Sequence, residues 1–180
     1  MMEVIVTFIF ILILWVSFSS SKKYKKSHIW RRKSADKTLK KIKSFKFPGQ
    51  IFSYLRKVDP FVVEEIILNS IEHRQDIEVI RNDKYTGDGG IDGRFNLTVR
   101  VDAKEVQRLY LIQVKRYNSY INVKDLNKFN KQIVEENAYA GLFVHTGKSG
   151  KAVYKELTTS GKIKLVSGKR LIDLLINGRF

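Results

Sequence analysis

Helix-like and strand-like stretches alternate along the chain from Pro60 to the C-terminus, and this order constrains the fold more than any other feature. Helices are predicted from apolar residues at helical spacing, and strands from short runs rich in β-branched and aromatic residues. Asp59 as N-cap and Pro60 in the first turn mark the start of the first helix. The predicted elements are a helix at 60–73, strands at 77–80, 91–101 and 108–117, a helix at 123–138, a strand at 141–145, a helix at 150–157, a strand at 163–166 and a helix at 169–176. The chain is therefore predicted to be α/β, with a mixed central sheet flanked by helices.

Ahead of this body lies an uncharged apolar run at residues 4–18. With its neighbours it approaches the roughly 20 residues that a helix needs to cross a bilayer, so we predict a transmembrane helix at 1–21. Lysines follow the run directly, and the positive-inside rule then places the rest of a single-pass membrane protein in the cytoplasm. A buried core helix or strand is the alternative. A cleavable signal peptide is disfavoured, because no positive charge precedes the run and no small-residue cleavage site follows it.

The next segment, residues 22–47, is a basic leader. From Lys22 to Lys57 the chain has 14 lysines and arginines against a single acid, Asp36. The leader is interpreted as a juxtamembrane linker attracted to anionic lipid, or as an arm that grips the DNA backbone, with the lipid interpretation favoured. The catalytic domain is predicted to follow at 48–180. The chain has no cysteine, which excludes disulfides, thiolate metal sites and cysteine nucleophiles.

A glycine-rich acidic loop at 86–93 precedes the predicted hairpin and is the most informative segment for function. Asp92 comes at the end of this loop, where glycines let a bulky ligand approach the backbone. In the second hairpin strand, alternation places Gln113 and Lys115 on the same face. The hairpin therefore predicts that a carboxylate, an amide and an ammonium group meet at one end of the sheet. Such groups can hold a divalent cation beside a phosphodiester.

The first predicted helix supplies a further acid. Glu64 shares a face with Ile67, Leu68 and Ile71, whereas the adjacent Glu65 does not. Glu64 is therefore predicted to face inward, where a cation or hydrogen bonds must compensate its charge. Each of these features alone has a simpler explanation: Asp-Gly-Gly is common in turns, and a Gln-x-Lys pair is common on a solvated strand edge.

The order and spacing of these motifs resemble the catalytic domain of the Mrr-like restriction endonucleases, a branch of the PD-(D/E)xK nuclease fold. The resemblance covers about 59–180 and is most specific in the glycine loop and the Gln-Val-Lys-Arg-Tyr strand. The matching segments are 59–65, 88–93, 112–117, 141–146, 163–166 and 171–175.

The resemblance implies a role for each candidate residue. Asp92, the Gln113 side-chain oxygen and the Val114 carbonyl would hold Mg²⁺, with Mn²⁺ as a substitute, and Lys115 would act beside the attacked phosphate. Glu64 matches the helix acid of the family. The wider fold has an acid at position 113, so glutamine removes one negative charge, although this branch is known for Gln-x-Lys and an amide oxygen still coordinates Mg²⁺.

The predicted function is a membrane-anchored, Mg²⁺-dependent DNA endonuclease of the restriction type. Arg116, Lys124, Lys128 and Lys131 are predicted to contact DNA, although the three lysines are equally well explained as solubilising residues. Two alternatives stay open: a catalytically silent membrane-tethered protein that binds DNA or lipid, and a branched-DNA resolvase. The expected partners are DNA and membrane lipid, with a homodimer left open.

Overall fold

The computed structural model describes residues 29–81 and 90–180. Six helices are described: α1 at 29–43, α2 at Pro48–Leu55, α3 at Pro60–Glu72, α4 at Val123–Glu135, α5 at Lys151–Ser160 and α6 at Gly168–Asn177. Five strands are described: β1 at Ile77–Ile80, β2 at Gly93–Val101, β3 at Lys104–Lys115, β4 at Ala140–His145 and β5 at Ile163–Val166. The predicted alternation from Pro60 onward is confirmed. Asp59 caps α3 as expected, because its side chain accepts hydrogen bonds from the backbone amides of Phe61 and Val62.

The strands form one mixed sheet in the order β1-β2-β3-β4-β5. β1, β2 and β3 pair antiparallel, and β3, β4 and β5 pair parallel. The β2–β3 hairpin turns through Asp102 and Ala103, both with positive φ, so its loop is tighter than predicted. Because β3, β4 and β5 run the same way, their C-terminal ends meet at a single edge of the sheet.

Helices cover both faces of the sheet. On one face, α1, α2, α3 and α6 contribute to a core that includes Ile112, Leu142 and Val144 from the strands. On the other face, α4 and α5 pack on a second core that includes Leu111 and Phe143. The predicted mixed α/β architecture with a central sheet flanked by helices is confirmed. It places alternate residues of β3 in different cores, as strand geometry requires.

Part of the basic leader is folded rather than extended as a linker. Residues 29–43 form α1, in which Ala35, Leu39 and Ile42 are buried in the same core as α3. These three residues recur at helical spacing, so one side of the helix is apolar although the segment as a whole is strongly basic. The expectation of a solvated linker therefore fails for residues 29–43. Residues 22–28 lie outside the described part of the chain.

The predicted single-pass membrane location is contradicted. Within residues 29–81 and 90–180, no helix combines the length and the apolar composition needed to cross a bilayer. α3 and α4, for example, have 13 residues each, which is short of the roughly 20 that a bilayer requires. The proposed span at 1–21 itself falls outside the described residues.

Candidate active site

A cleft of about 260 Å³ opens where the C-terminal end of β3 meets the N-terminal end of α3. It lies at the edge of the sheet where the parallel strands end, a common location for ligand sites in α/β proteins. Four of the predicted catalytic or metal-binding residues are brought together here. The cleft is lined by Pro60, Glu64, Asp92, Val114, Lys115 and Arg116.

Asp92 is held in place by the backbone of β3. Its amide donates a hydrogen bond to the carbonyl of Ile112 at 2.9 Å, and the amide of Val114 donates to its Oδ2 atom at 2.6 Å. The next residue, Gly93, packs closely on α3, because a Cβ atom at this position would lie 2.7 Å from a methyl group of Leu68. Gly93 thus lets β2 approach α3, and this close approach positions Asp92 at the cleft.

The side chain of Gln113 is 2% exposed, and only one of its two polar atoms has a hydrogen-bond partner among the described residues. Its Nε2 atom donates a hydrogen bond to the carbonyl of Gly90 at 2.7 Å. Its Oε1 atom is buried and has no hydrogen-bond partner among the described residues. An unpaired buried amide oxygen costs about 1–3 kcal/mol, so native proteins rarely keep one without a reason. A bound cation would provide that reason.

Lys115 is the last residue of β3 and pairs in register with His145 of β4. Its carbonyl accepts a hydrogen bond from the amide of Thr146 at 3.2 Å, so the parallel ladder holds its backbone to the end of the strand. Its side chain, half-buried, reaches the cleft beside Asp92. Of the three side chains predicted to meet at one end of the hairpin, Asp92 and Lys115 line the cleft, and Gln113 is not among its lining residues.

The two adjacent acids of α3 have different environments. Glu64 is half-buried and lines the cleft. Glu65 is only 2% exposed, and its Oε2 atom lies 3.4 Å from Nε of Arg81. Arg81 also binds Glu72 at 2.5 Å and Asn69 at 2.9 Å. The hydrogen bond to Arg81 lowers the pKa of Glu72, and the same bond raises the pKa of Arg81. Glu64 is the acid at the cleft, as predicted, but Glu65 is the more buried of the two.

A sequence profile of the Mrr_cat family, described as a restriction endonuclease, matches residues 55–175. The chain belongs to this family. No curated protein matches the sequence. The Mrr_cat match covers every element from α3 to β5 and therefore includes the whole cleft.

Two solved structures share the fold of this Mrr_cat chain. One is the MspJI restriction endonuclease in complex with a 27-mer oligonucleotide, with 13% identity and a TM-score of 0.57 over 73% of this chain and 32% of that chain. The other is the DNA modification-dependent restriction endonuclease AspBHI, with 20% identity and a TM-score of 0.58 over 73% of this chain and 35% of that chain. The aligned part is thus about a third of each of these proteins. Identities this low show the fold alone.

Arg116, predicted to contact DNA, forms hydrogen bonds to the backbone of the Mrr_cat domain. Its Nη1 atom donates hydrogen bonds to the carbonyls of Val58 and, at 3.3 Å, Arg56. Arg56 in turn donates from Nη2 to the carbonyl of Thr146 at 2.7 Å. The two arginines tie the segment between α2 and α3 to the ends of β3 and β4. Arg116 lines the cleft, but these bonds make it a residue that holds the cleft wall together.

The three predicted DNA-binding lysines of α4 are exposed, as expected from their helical spacing. Lys128 lies nearest to the site, because a Cβ atom on Gly90 would be 3.8 Å from its Nζ atom and 3.3 Å from Nε2 of Gln113. Lys131 forms an ion pair with Glu135 at 3.6 Å, and both side chains are largely exposed. Lys124 follows the helix N-cap Asn122. Lys128 is therefore the lysine of this group that is best placed for a ligand in the cleft.

His145 was not selected as a site residue from the sequence. It is 1% exposed, its Nε2 atom lies 3.4 Å from Oγ of Ser149, and its Nδ1 atom has no hydrogen-bond partner among the described residues. Burial lowers its pKa to about 4, so the ring is neutral at pH 7. Its position at the end of an apolar strand, beside Lys115, is the feature by which His145 could have been identified. A neutral ring there adds no positive charge next to the lysine.

Among the described residues, no group of three or more histidine, cysteine, aspartate and glutamate side chains could hold a metal. Asp92 and Val114 line the cleft, and Gln113 is not among the residues that line it. Carboxylate, amide and carbonyl oxygens are the donors that Mg²⁺ prefers.

Proposed function

We propose that the protein is a Mg²⁺-dependent endonuclease that hydrolyses phosphodiester bonds of DNA in the cleft between β3 and α3. The observation that carries this proposal is a cleft lined by Asp92 and Lys115, together with the buried Oε1 atom of Gln113, which has no hydrogen-bond partner among the described residues. The Mrr_cat family match and the oligonucleotide bound to MspJI support DNA as the substrate.

The residues present fit a divalent cation. Asp92 would supply a carboxylate, Gln113 an amide oxygen without a hydrogen-bond partner among the described residues, and Val114 a backbone carbonyl of β3. A bound Mg²⁺ would polarise the phosphate and lower the pKa of a water molecule. Glu64, which also lines the cleft, would add the negative charge that glutamine at position 113 lacks.

The protein's own contribution is positioning and electrostatic stabilisation. Lys115 places a positive charge at the cleft, where it can stabilise negative charge that develops on the phosphate and hold the attacking water. Both Asp92 and Lys115 are fixed through the backbone hydrogen bonds of the sheet. The site therefore needs little reorganisation when DNA binds, which is the main source of rate enhancement in sites of this kind.

The test is cleavage of supercoiled plasmid DNA by the full chain with Mg²⁺. Asp92→Asn keeps the acceptor for the amide of Val114 but removes the charge, and Lys115→Ala removes the ammonium group. Each is expected to lower the cleavage rate at least about 100-fold, the usual effect of removing one electrostatic group from a site. Asp102→Asn and Lys104→Ala, at the far end of the same hairpin, are matched controls that should cleave like the wild type.

Equal cleavage by the wild type and both site variants would refute the proposal. Absence of cleavage by a folded wild-type chain that still binds DNA would favour the catalytically silent alternative. Faster cleavage of four-way junctions than of linear duplex would identify a branched-DNA resolvase.

A further inference from the structure

Helix α1 is firmly fixed on the domain. Ala35 and Ile42 are completely buried and Leu39 is 8% exposed, all within the core that α3 also forms. Oδ1 of Asp36 accepts a hydrogen bond from Nδ2 of Asn69 on α3 at 2.9 Å. Because packing holds one side of α1 in place, the side chains on its opposite side occupy a defined position relative to the cleft.

The opposite side of α1 is a stripe of three lysines, Lys33, Lys37 and Lys40, which we call the α1 stripe. At 100° per residue these three positions point away from the buried residues of the helix, and all three are exposed. None of the three forms an ion pair with another residue in the described part of the chain. The only acid on α1 is Asp36, whose Oδ1 atom accepts a hydrogen bond from Asn69. The stripe is therefore a surface of unneutralised positive charge about 10 Å long.

Helix α1 packs beside one wall of the cleft, with the α1 stripe on its outer side. α1 packs on α3, which contributes Glu64 to the cleft. The guanidinium group of Arg31 lies 4.2 Å from the centre of the ring of Phe61, which follows the cleft residue Pro60. α1 also lies outside residues 55–175, the part of the chain that the family profile matches.

We propose that the α1 stripe is a second DNA-binding surface, which contacts backbone phosphates of a duplex. This inference rests on the proposed function for its choice of partner. Lysine side chains act as point charges toward phosphate, and phosphate contacts carry no sequence information directly. Binding by the stripe is therefore independent of DNA sequence. It adds affinity for the duplex and does not select the site that is cut.

The test measures binding of a 30-base-pair duplex to the full chain without divalent metal, by fluorescence anisotropy over a range of NaCl concentrations. The variant is Lys33→Gln/Lys37→Gln/Lys40→Gln. Each phosphate contact contributes about 0.9 to the slope of log affinity against log salt, so the slope should decrease by about 2 to 3. The matched control replaces three other exposed lysines, Lys104, Lys155 and Lys162, and should keep the wild-type slope.

Circular dichroism and thermal denaturation establish that the triple variant is folded. If it is not, the single variant Lys37→Gln gives the same test, with an expected decrease of about 0.9. An unchanged slope in the folded variant, or an equal decrease in the control, would overturn the inference. So would a variant that loses binding to anionic lipid vesicles while it keeps the wild-type slope on DNA.

This experiment separates the two proposals because it does not depend on cleavage. A reduced slope in a protein that does not cut DNA would support the α1 stripe and refute the proposed nuclease. Cleavage that requires Lys115, together with an unchanged slope, would support the nuclease and refute the α1 stripe.

Discussion

The exchange Gln113→Glu gives the sharpest test of the site. In the wider nuclease fold an acid at this position binds metal, so the exchange would be expected to improve the site. The structure predicts that, in the absence of metal, the exchange lowers the free energy of unfolding. Nε2 of Gln113 donates to the carbonyl of Gly90 at 2.7 Å, and a carboxylate cannot donate. The exchange therefore places a negative charge against a carbonyl oxygen in a position that is 2% exposed.

The magnitude follows from two terms. Leaving the carbonyl of Gly90 without its donor costs about 1–3 kcal/mol. Burial raises the pKa of the new carboxyl group, and each unit costs about 1.4 kcal/mol at neutral pH. With a shift of about one unit, the two terms together lower the free energy of unfolding by about 2–4 kcal/mol at pH 7. Since the folded pKa is raised, the loss is smallest near pH 4, where the group is protonated and can donate again, and it grows as the pH rises.

Mg²⁺ should reverse much of this loss, because a cation that binds only the folded state stabilises it. The assay is urea denaturation at pH 4.5 and pH 7, with 10 mM Mg²⁺ or with EDTA. The matched control is Gln107→Glu, an exposed position on the same strand, which should change stability by less than about 0.5 kcal/mol. If Gln113→Glu is as stable as the wild type in EDTA at pH 7, or gains no more from Mg²⁺ than the control does, the assigned metal ligand is wrong.

Three further predictions concern the surroundings of the site. Arg116→Ala should lower the free energy of unfolding by about 1–3 kcal/mol in urea denaturation, because two backbone carbonyls lose their hydrogen-bond donor. Lower DNA affinity at unchanged stability would instead show a direct DNA contact. Gly141→Ala should cost about 1–3 kcal/mol, because its Cβ atom would lie 2.6 Å from the ring of Phe129. In the same assay Gly49→Ala, with open space around its Cβ position, should be neutral or stabilising, and equal losses would refute the packing argument. The pKa of His145 falls from 6.5 to about 4 on folding, so the wild type should lose about 3 kcal/mol as the pH drops through this window. His145→Leu should remove that pH dependence, and an unaltered pH profile would show that the ring is not a buried neutral group.

The order of helices and strands could be predicted because each element from α3 onward carries a local signal. Apolar periodicity marks α3 and α4, and short apolar runs mark β4 and β5. The convergence of Asp92 and Lys115 could also be predicted, because it needs only a hairpin and alternation along β3. Register within the hairpin then decides which residues face the cleft.

The roles of Glu65 and Arg116 could not be predicted, since each depends on a partner distant in sequence. Helical spacing places Glu65 away from the apolar face of α3, but almost the whole of this helix is covered by other elements. Arg81, 16 residues away, supplies the opposite charge that makes burial of the carboxylate tolerable. Arg116 binds carbonyl groups that lie 58 and 60 residues earlier in the chain. Sequence patterns of a few residues cannot reveal such pairs.

Helix α1 shows how a strong compositional signal can conceal a weaker periodic one. The charge of the basic leader indicates a solvated segment, because a polycation is usually solvated. Ala35, Leu39 and Ile42 nevertheless recur at intervals of four and three residues, which is the spacing of a helix with one apolar side. Lysine does not oppose helix formation, because its propensity is close to that of leucine. The charge and the apolar periodicity therefore describe different sides of one helix. The apolar side fixes α1 on the nuclease domain. The lysines on the other side then form a surface that a mobile linker could not hold in place.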